Sequence, residues 1–222
     1  GAYALVENTI GTRNTATGMY ALYCNTTGDC NVALGLQALY YNTTGSCNVA
    51  VGTAALLCNT TGRYNTGIGR NAGGYNVTSN YNTTVGYFAG LNTTQGCNTF
   101  IGGQSGTTNT SGGNNTGLGV NSMYFNTTGG NNTALGRSSL ENNTTASNNT
   151  GVGYRSLCSV TTGMQNVSLG GTSGSCITTG SFNVVIGYNA QAYGAGSNNS
   201  IVIGHNVSGC GSNTVLIGNG ST

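Results

Sequence analysis

The sequence predicts an all-β chain wound as a parallel β-solenoid of about 12–13 rungs, each of 17 residues. Three observations predict it. The motif Asn-(Thr/Val)-x-(Ile/Leu/Val)-Gly recurs with its glycine at Gly18, Gly35, Gly52, Gly69 and Gly86, then at Gly102, Gly119, Gly136, Gly153, Gly170, Gly187 and Gly204, and last at Gly218. The step is 17 throughout, except 16 between Gly86 and Gly102 and 14 before Gly218. Gly, Asn and Thr number 40, 33 and 35 of the 222 residues, and these are poor helix formers but good suppliers of turns and positive φ. Finally, the columns of the repeat are chemically uniform, which suits coils stacked with like residues above one another.

The fullest unit, Asn31 to Cys47, sets out the columns. Its fourth position is aliphatic (Leu34, Val51, Ile68, Val85), its eighth is small (Ala38, Ala55, Ala72, then Ser105, Ser122), and its twelfth is Asn. Thr, Val, Ile and Tyr favour strands, so each unit reads as two short strands joined by two tight turns. Positions 2 and 4 (Val32 and Leu34), the small eighth residue and a variable ninth (Leu39, Leu56, Gly73, Gly90, Met123) are expected to face inward. At about 4.8 Å per rung the rod is on the order of 60 Å long. Such a coil encloses a thin core, which favours several chains sharing one interior.

The chain divides into three parts. In residues 1–13 the group Asn8-Thr-Ile-Gly11 lies 7 residues before Gly18 and reads as out of phase. This segment is expected to be a cap, or a donor strand whose Ala4, Leu5 and Val6 complete the last rung (Val215, Leu216, Ile217) of the next subunit. Residues 14–199 hold the 17-residue units. Residues 200–222 hold final, shorter rungs without a cap, and an open last rung is an edge that recruits other chains. The start, Gly1-Ala-Tyr-Ala-Leu-Val, has neither an initiator Met nor a signal-peptide layout, so the chain reads as a processed product or a piece of a longer protein.

Composition narrows the functions. Charged residues make up 4%, with Asp29, Glu7 and Glu141 against five arginines, for a net charge of +2. That cannot make a basic stripe for nucleic acid. No apolar run is long enough to span a membrane. One His and three carboxylates cannot furnish the usual acid–base or metal sets, so neither an enzyme nor a cofactor is expected. Gly67-Ile-Gly69 imitates a dinucleotide loop but is only the repeat.

Three sets of residues stand out. Cys30 and Cys47 share a column in adjacent units, which puts their Cα atoms about 5 Å apart, within disulfide reach; the alternative is thiols filling ladder positions. Asn25, Asn42, Asn59, Asn76, Asn92, Asn109, Asn126 and Asn143 form a column of Asn-x-Ser/Thr sequons, read as a structural amide ladder with glycans, if any, partial. The pairs such as Thr26-Thr27 and Thr43-Thr44 place one Thr file on each side and raise a surface-binding reading, for glycan or ice.

The unit Asn-(Thr/Val)-Ala-(Ile/Leu/Val)-Gly-x-x-Ala-Leu-x-x-Asn-Thr-Thr-Gly resembles the head repeats of trimeric autotransporter adhesins. It is similar also to tail-fibre-like repeats of phage, viral and bacterial proteins. The likeness covers residues 14–218, and Asn183-Val-Val-Ile-Gly187 and Ser200-Ile-Val-Ile-Gly204 carry it best. It implies left-handed parallel β-rolls, three side by side, in an extracellular, cell-surface or virion-surface fibre that binds a host glycan or protein. The eight cysteines depart from the pattern, since such heads are normally poor in them. The expected function is a non-enzymatic structural or adhesive element whose partner is itself, as a homotrimer, a head-to-tail polymer or both.

Overall fold

The structure, a computed structural model, describes residues 1–219. It is a parallel β-solenoid built on one 13-stranded sheet whose strands follow chain order. They are β1 (Thr15–Thr17), β2 (Val32–Leu34), β3 (Val49–Val51), β4 (Thr66–Ile68), β5 (Thr83–Val85) and β6 (Thr99–Ile101). Then come β7 (Thr116–Leu118), β8 (Thr133–Leu135), β9 (Thr150–Val152) and β10 (Val167–Leu169). The last three are β11 (Val184–Ile186), β12 (Ile201–Ile203) and β13 (Val215–Ile217). Leu34 pairs with Val51 and Val51 with Ile68, one rung apart, so like residues do stack on like.

Each rung carries one three-residue strand rather than the two expected, and its far side is a train of left-handed residues. Three columns hold them: Tyr20, Gln37 and Ala54; Leu22, Leu39 and Leu56; and Cys30, Cys47 and Tyr64, with φ near +50 to +60°. Such φ values are costly for side-chain-bearing residues. They persist because rung-to-rung backbone hydrogen bonds hold every turn: Leu22 donates to the Ala38 carbonyl, Cys24 to Tyr40 and Thr26 to Thr43. The glycine that ends each strand has no substitute. Gly35 sits at φ +139°, and a Cβ there would lie 2.6 Å from the carbonyl oxygen of Gly52 in the next rung.

The strand faces correct the expected core. Along β2 the pattern is half-buried, buried, exposed, so Ala33 points inward while Val32 and Leu34 point outward. The alternation holds in the other strands, as a period-two side-chain direction requires. Positions 2 and 4 therefore line the outer face. The interior is filled instead by the middle strand residue, the small eighth and the ninth. It falls into two clusters, one from Ala21 to Leu56 and one from Ala89 to Val207.

Residues 1–11 lie in the phase of the repeat and not out of it. Leu5 donates to the Ala21 carbonyl, Glu7 to Tyr23 and Thr9 to Thr26, and Asn8 stacks under Asn25. Gly1, Tyr3, Leu5 and Asn8 are thus the seventeen-step predecessors of Gly18, Tyr20, Leu22 and Asn25. The seven-residue offset misled because it compared the turn group Asn8–Gly11 with a strand end. The segment adds a further part-rung to its own coil.

Candidate functional site: amide ladders and an outward sheet face

The twelfth-column asparagines are interior. Asn42 is fully buried, and its Nδ2 donates to Asn25 Oδ1 at 2.8 Å and to the Gly45 carbonyl at 2.9 Å. Asn59 repeats both bonds one rung on, and Asn126 and Asn143 do the same farther along. Both Nδ2 hydrogens are engaged and the group is sealed from solvent, so a glycan has no place on these residues in the folded chain. Exposed sequon asparagines lie elsewhere, among them Asn114, Asn131 and Asn148 on the outer left-handed corner, and Asn142, Asn198 and Asn206.

The ladder is interrupted twice. Asn76 turns its amide to the Ser79 carbonyl of its own turn, and the buried Asn59 Oδ1 is left without a partner. In the next rung Thr93, not Asn92, occupies the column: its N–H donates to Gly90 as that of Asn76 does to Gly73. Asn92 stands one place outside, half-buried, bonded to the Thr107 carbonyl. Beyond Asn143 the column becomes aliphatic at Val160 and Ile177, and Asn143 Oδ1 has no partner.

A second ladder, which sequence reasoning did not single out, has no such break. Asn31 Oδ1 accepts the backbone N–H of Asn48 at 3.0 Å while Asn31 Nδ2 donates to the Gly45 carbonyl at 2.8 Å. The backbone link recurs at every step from Asn14 to Ser200 through Asn65, Asn82, Asn98, Asn115, Asn132, Asn149, Asn166 and Asn183. Its signal was present as the near-constant Asn that opens the repeat motif. Because it fastens each rung's entry into the strand, it fixes register more completely than the first ladder.

The thiols of Cys30 and Cys47 are free, as are the other six. Both occupy the left-handed corner column, Cys30 half-buried and Cys47 exposed. Cys24, Cys58 and Cys176 are held above the ordinary thiol range, mainly by burial, which makes them poor nucleophiles. Of the end residues, Leu5 and Leu216 pack against the two core clusters. Ala4 is half-buried, and Val6, Val215 and Ile217 are exposed, Ile217 at 71%.

The outer sheet face is the largest chemical feature. Two columns run the length of the rod: a β-branched one (Val32, Val49, Thr66, Thr83, Thr99, Thr116) and an aliphatic one. In the latter Leu34, Ile68, Ile101, Leu118, Leu135 and Leu169 are 36–49% exposed, while Val51, Val85, Val152, Ile186 and Ile203 are half-buried. No charged residue lies in any of the thirteen strands. Three-residue strands stacked over about 60 Å give an uncharged strip on the order of 600 Å², of which the aliphatic column is the apolar part. Among the described residues no group of three potential metal ligands is found, and no helix is long and apolar enough to cross a membrane. His205 lies against Tyr188, centroids 5.7 Å apart. No family model matches the chain, and no curated protein aligns with it significantly.

Proposed function

We propose that this chain is a non-enzymatic structural element of an extracellular or virion-surface fibre, of the adhesin-head or tail-fibre kind, that associates side by side with copies of itself. The observation that carries the reading is the uncharged outward face of β2–β12, with its aliphatic column Leu34 to Ile203. A second copy is the fitting occupant for a geometric reason. The knobs of the strip repeat at the rung rise of about 4.8 Å, and only a partner with the same rise meets them in phase over their whole length. The thin interior gives the same preference, since shared burial of the strip supplies apolar area that one coil lacks. The resemblance to adhesin heads makes three copies the expected number.

Light scattering on a sizing column tests this: a mass of three times 22.2 kDa is expected. Replacing Ile101 and Leu135 by Glu should reduce it to one copy with circular dichroism unchanged, because both side chains point out. Ala134→Glu, one residue away but inward, should unfold the chain instead. A wild-type chain that runs as a monomer at high concentration would sink the proposal. The second reading, a surface binder, is favoured by one observation: Thr66, Thr83, Thr99, Thr116, Thr133 and Thr150 form a regular outward file beside the aliphatic column. A monomer with thermal hysteresis in freezing solution would support it.

A further inference from the structure

The 16-residue unit leaves a notch in the rod's corner, and the geometry points to that notch as a binding site for a neutral saccharide. Between Thr93 and Cys97 the chain has one residue fewer than between Asn76 and Tyr81. The corner turn is drawn in, and a groove of about 480 Å³ opens between rungs, with Ser79, Asn80, Tyr81, Gln95, Cys97 and Asn114 among its lining residues. This corner is a different column from the outward sheet face, so the proposal stands apart from self-association.

Three features of the groove specify the ligand. The first is an aromatic floor. Tyr64 and Tyr81 stack with centroids 5.1 Å apart and planes within 6°, and Tyr81 is 60% exposed. Tyr64 covers one face of the Tyr81 ring. The next residue along the column is Cys97, too small to cover the other, so that face stays open to the groove. Next come uncommitted amides. Asn80 Oδ1 accepts the Arg63 N–H at 2.7 Å, leaving its Nδ2 to spare, while the side-chain amides of Gln95 and Asn114 have no partner among the described residues. A primary amide offers a paired donor and acceptor, which matches vicinal hydroxyls. The third feature is neutrality: no charged side chain lines the groove. A flat ring for the C–H face of a pyranose, amides for its hydroxyls and no charge together select an uncharged hexose or N-acetylhexosamine unit over phosphate, sulfate or sialic acid.

Nuclear magnetic resonance titration of the intact chain with lactose, cellotetraose and N,N′-diacetylchitobiose tests this. At least one of them should shift the Gln95 and Asn114 side-chain amides, with a dissociation constant of roughly a millimolar. Bound sugar should also slow alkylation of Cys97, followed by peptide mass spectrometry. Tyr81→Ala should weaken binding about ten-fold, whereas Tyr81→Phe, which keeps the ring, should leave it nearly unchanged. Gln95→Ala should weaken it without touching the stack, and covers the case in which Tyr81→Ala does not fold. Shifts confined to other residues, binding unaltered by Gln95→Ala and Tyr81→Ala, or no response to any of the three sugars at tens of millimolar would overturn the assignment.

Discussion

Residues 14–72 and residues 73–107 follow the same repeat, yet they fill their interior in opposite ways. In the first stretch the inward strand residue is small (Ala16, Ala33, Ala50, Gly67) and the ninth-column residue is large (Leu22, Leu39, Leu56). In the second the order reverses: Thr84 and Phe100 point in from the strand, and Gly73, Gly90 and Gly106 stand across from them. A large side chain in one column is met by glycines of its own and neighbouring rungs: Leu56 lies against Gly67 and Gly73, and Phe100 against Gly90, Gly106 and Gly117. What is kept filled is therefore the volume shared by adjacent rungs, not either column and not any single rung. One rung carries both Gly67 and Gly73 and is filled by Leu56 of the rung before. The reversal has a local cost. The two apolar clusters are separated at this join, and the buried Asn59 Oδ1 and Thr93 Oγ1 lack partners around it.

The most damaging way to break the comparison is at its centre. Phe100 is the largest fully buried side chain. A Cβ on Gly106 would lie 2.5 Å from its Cδ1, and one on Gly117 3.0 Å from the same atom. Phe100→Ala should cost about 3–5 kcal/mol, because glycine neighbours have no side chains to collapse into the void. Gly106→Ala should cost about 3 kcal/mol, from the clash and from its φ of +59°. Together they should cost less than the sum, since each relieves the other. Urea unfolding of the three variants measures this, and strict additivity would show that the two columns do not share one volume.

A milder test uses the first ladder. Asn42 sits in its intact part, so Asn42→Val deprives buried groups in two rungs of partners and should cost about 2–3 kcal/mol. Asn143 is its last member and already faces Val160, with Oδ1 unpartnered. Asn143→Val should therefore be less harmful by about 1 kcal/mol or more. Thr93→Val removes a buried hydroxyl without a partner at nearly constant volume, and should stabilise the chain by up to about 1 kcal/mol. Equal losses at Asn42 and Asn143 would mean that the amide-to-amide bonds contribute little.

How far the sequence could be read follows from these same residues. The seventeen-step period needs no coordinates, because a column of glycines at φ near +130° admits nothing else and so marks every rung. The inward and outward faces were harder. Val32 and Leu34 flank Ala33, and a hydrophobicity rule alone puts the two larger residues inside; the ninth-column Leu22 and Leu39, already in the interior, leave room for Ala but not Leu at that point. The left-handed stations at Leu22, Leu39 and Cys30 left no trace, since Leu and Cys do not choose that conformation locally and are held in it by the neighbouring rungs. The notch beside Tyr81 was visible as a step of 16, but its depth depends on which residue of the turn was lost.

The smallest effect separates the first rung from the interior. In one corner column a short polar side chain accepts a backbone N–H from the rung before: Asn80 from Arg63, Asn198 from Ser181, Ser181 from Met164. At the first rung the acceptor is Asp29, which takes the Thr12 N–H at 2.6 Å and the Thr12 hydroxyl at 3.0 Å. These bonds, the backbone one foremost, hold its carboxyl below the ordinary value of 3.8. A depressed folded pKa means that the unfolded chain takes up the proton first, so the stabilisation is complete above 3.8 and is lost as pH falls through the lower folded value. The Thr12 amide should then titrate with Asp29, and the contact between residues 1–13 and the rung above should loosen in acid while the interior rungs do not. Asp29→Asn keeps the acceptor and removes the charge, as Asn80 already does farther along. It should abolish the acid loosening and leave the fold at neutral pH unchanged. Nitrogen relaxation of Thr9, Thr12 and Thr60 between pH 7 and pH 2.5 distinguishes the cases: equal loosening at Thr60 would assign the change to the whole coil and not to this one carboxylate.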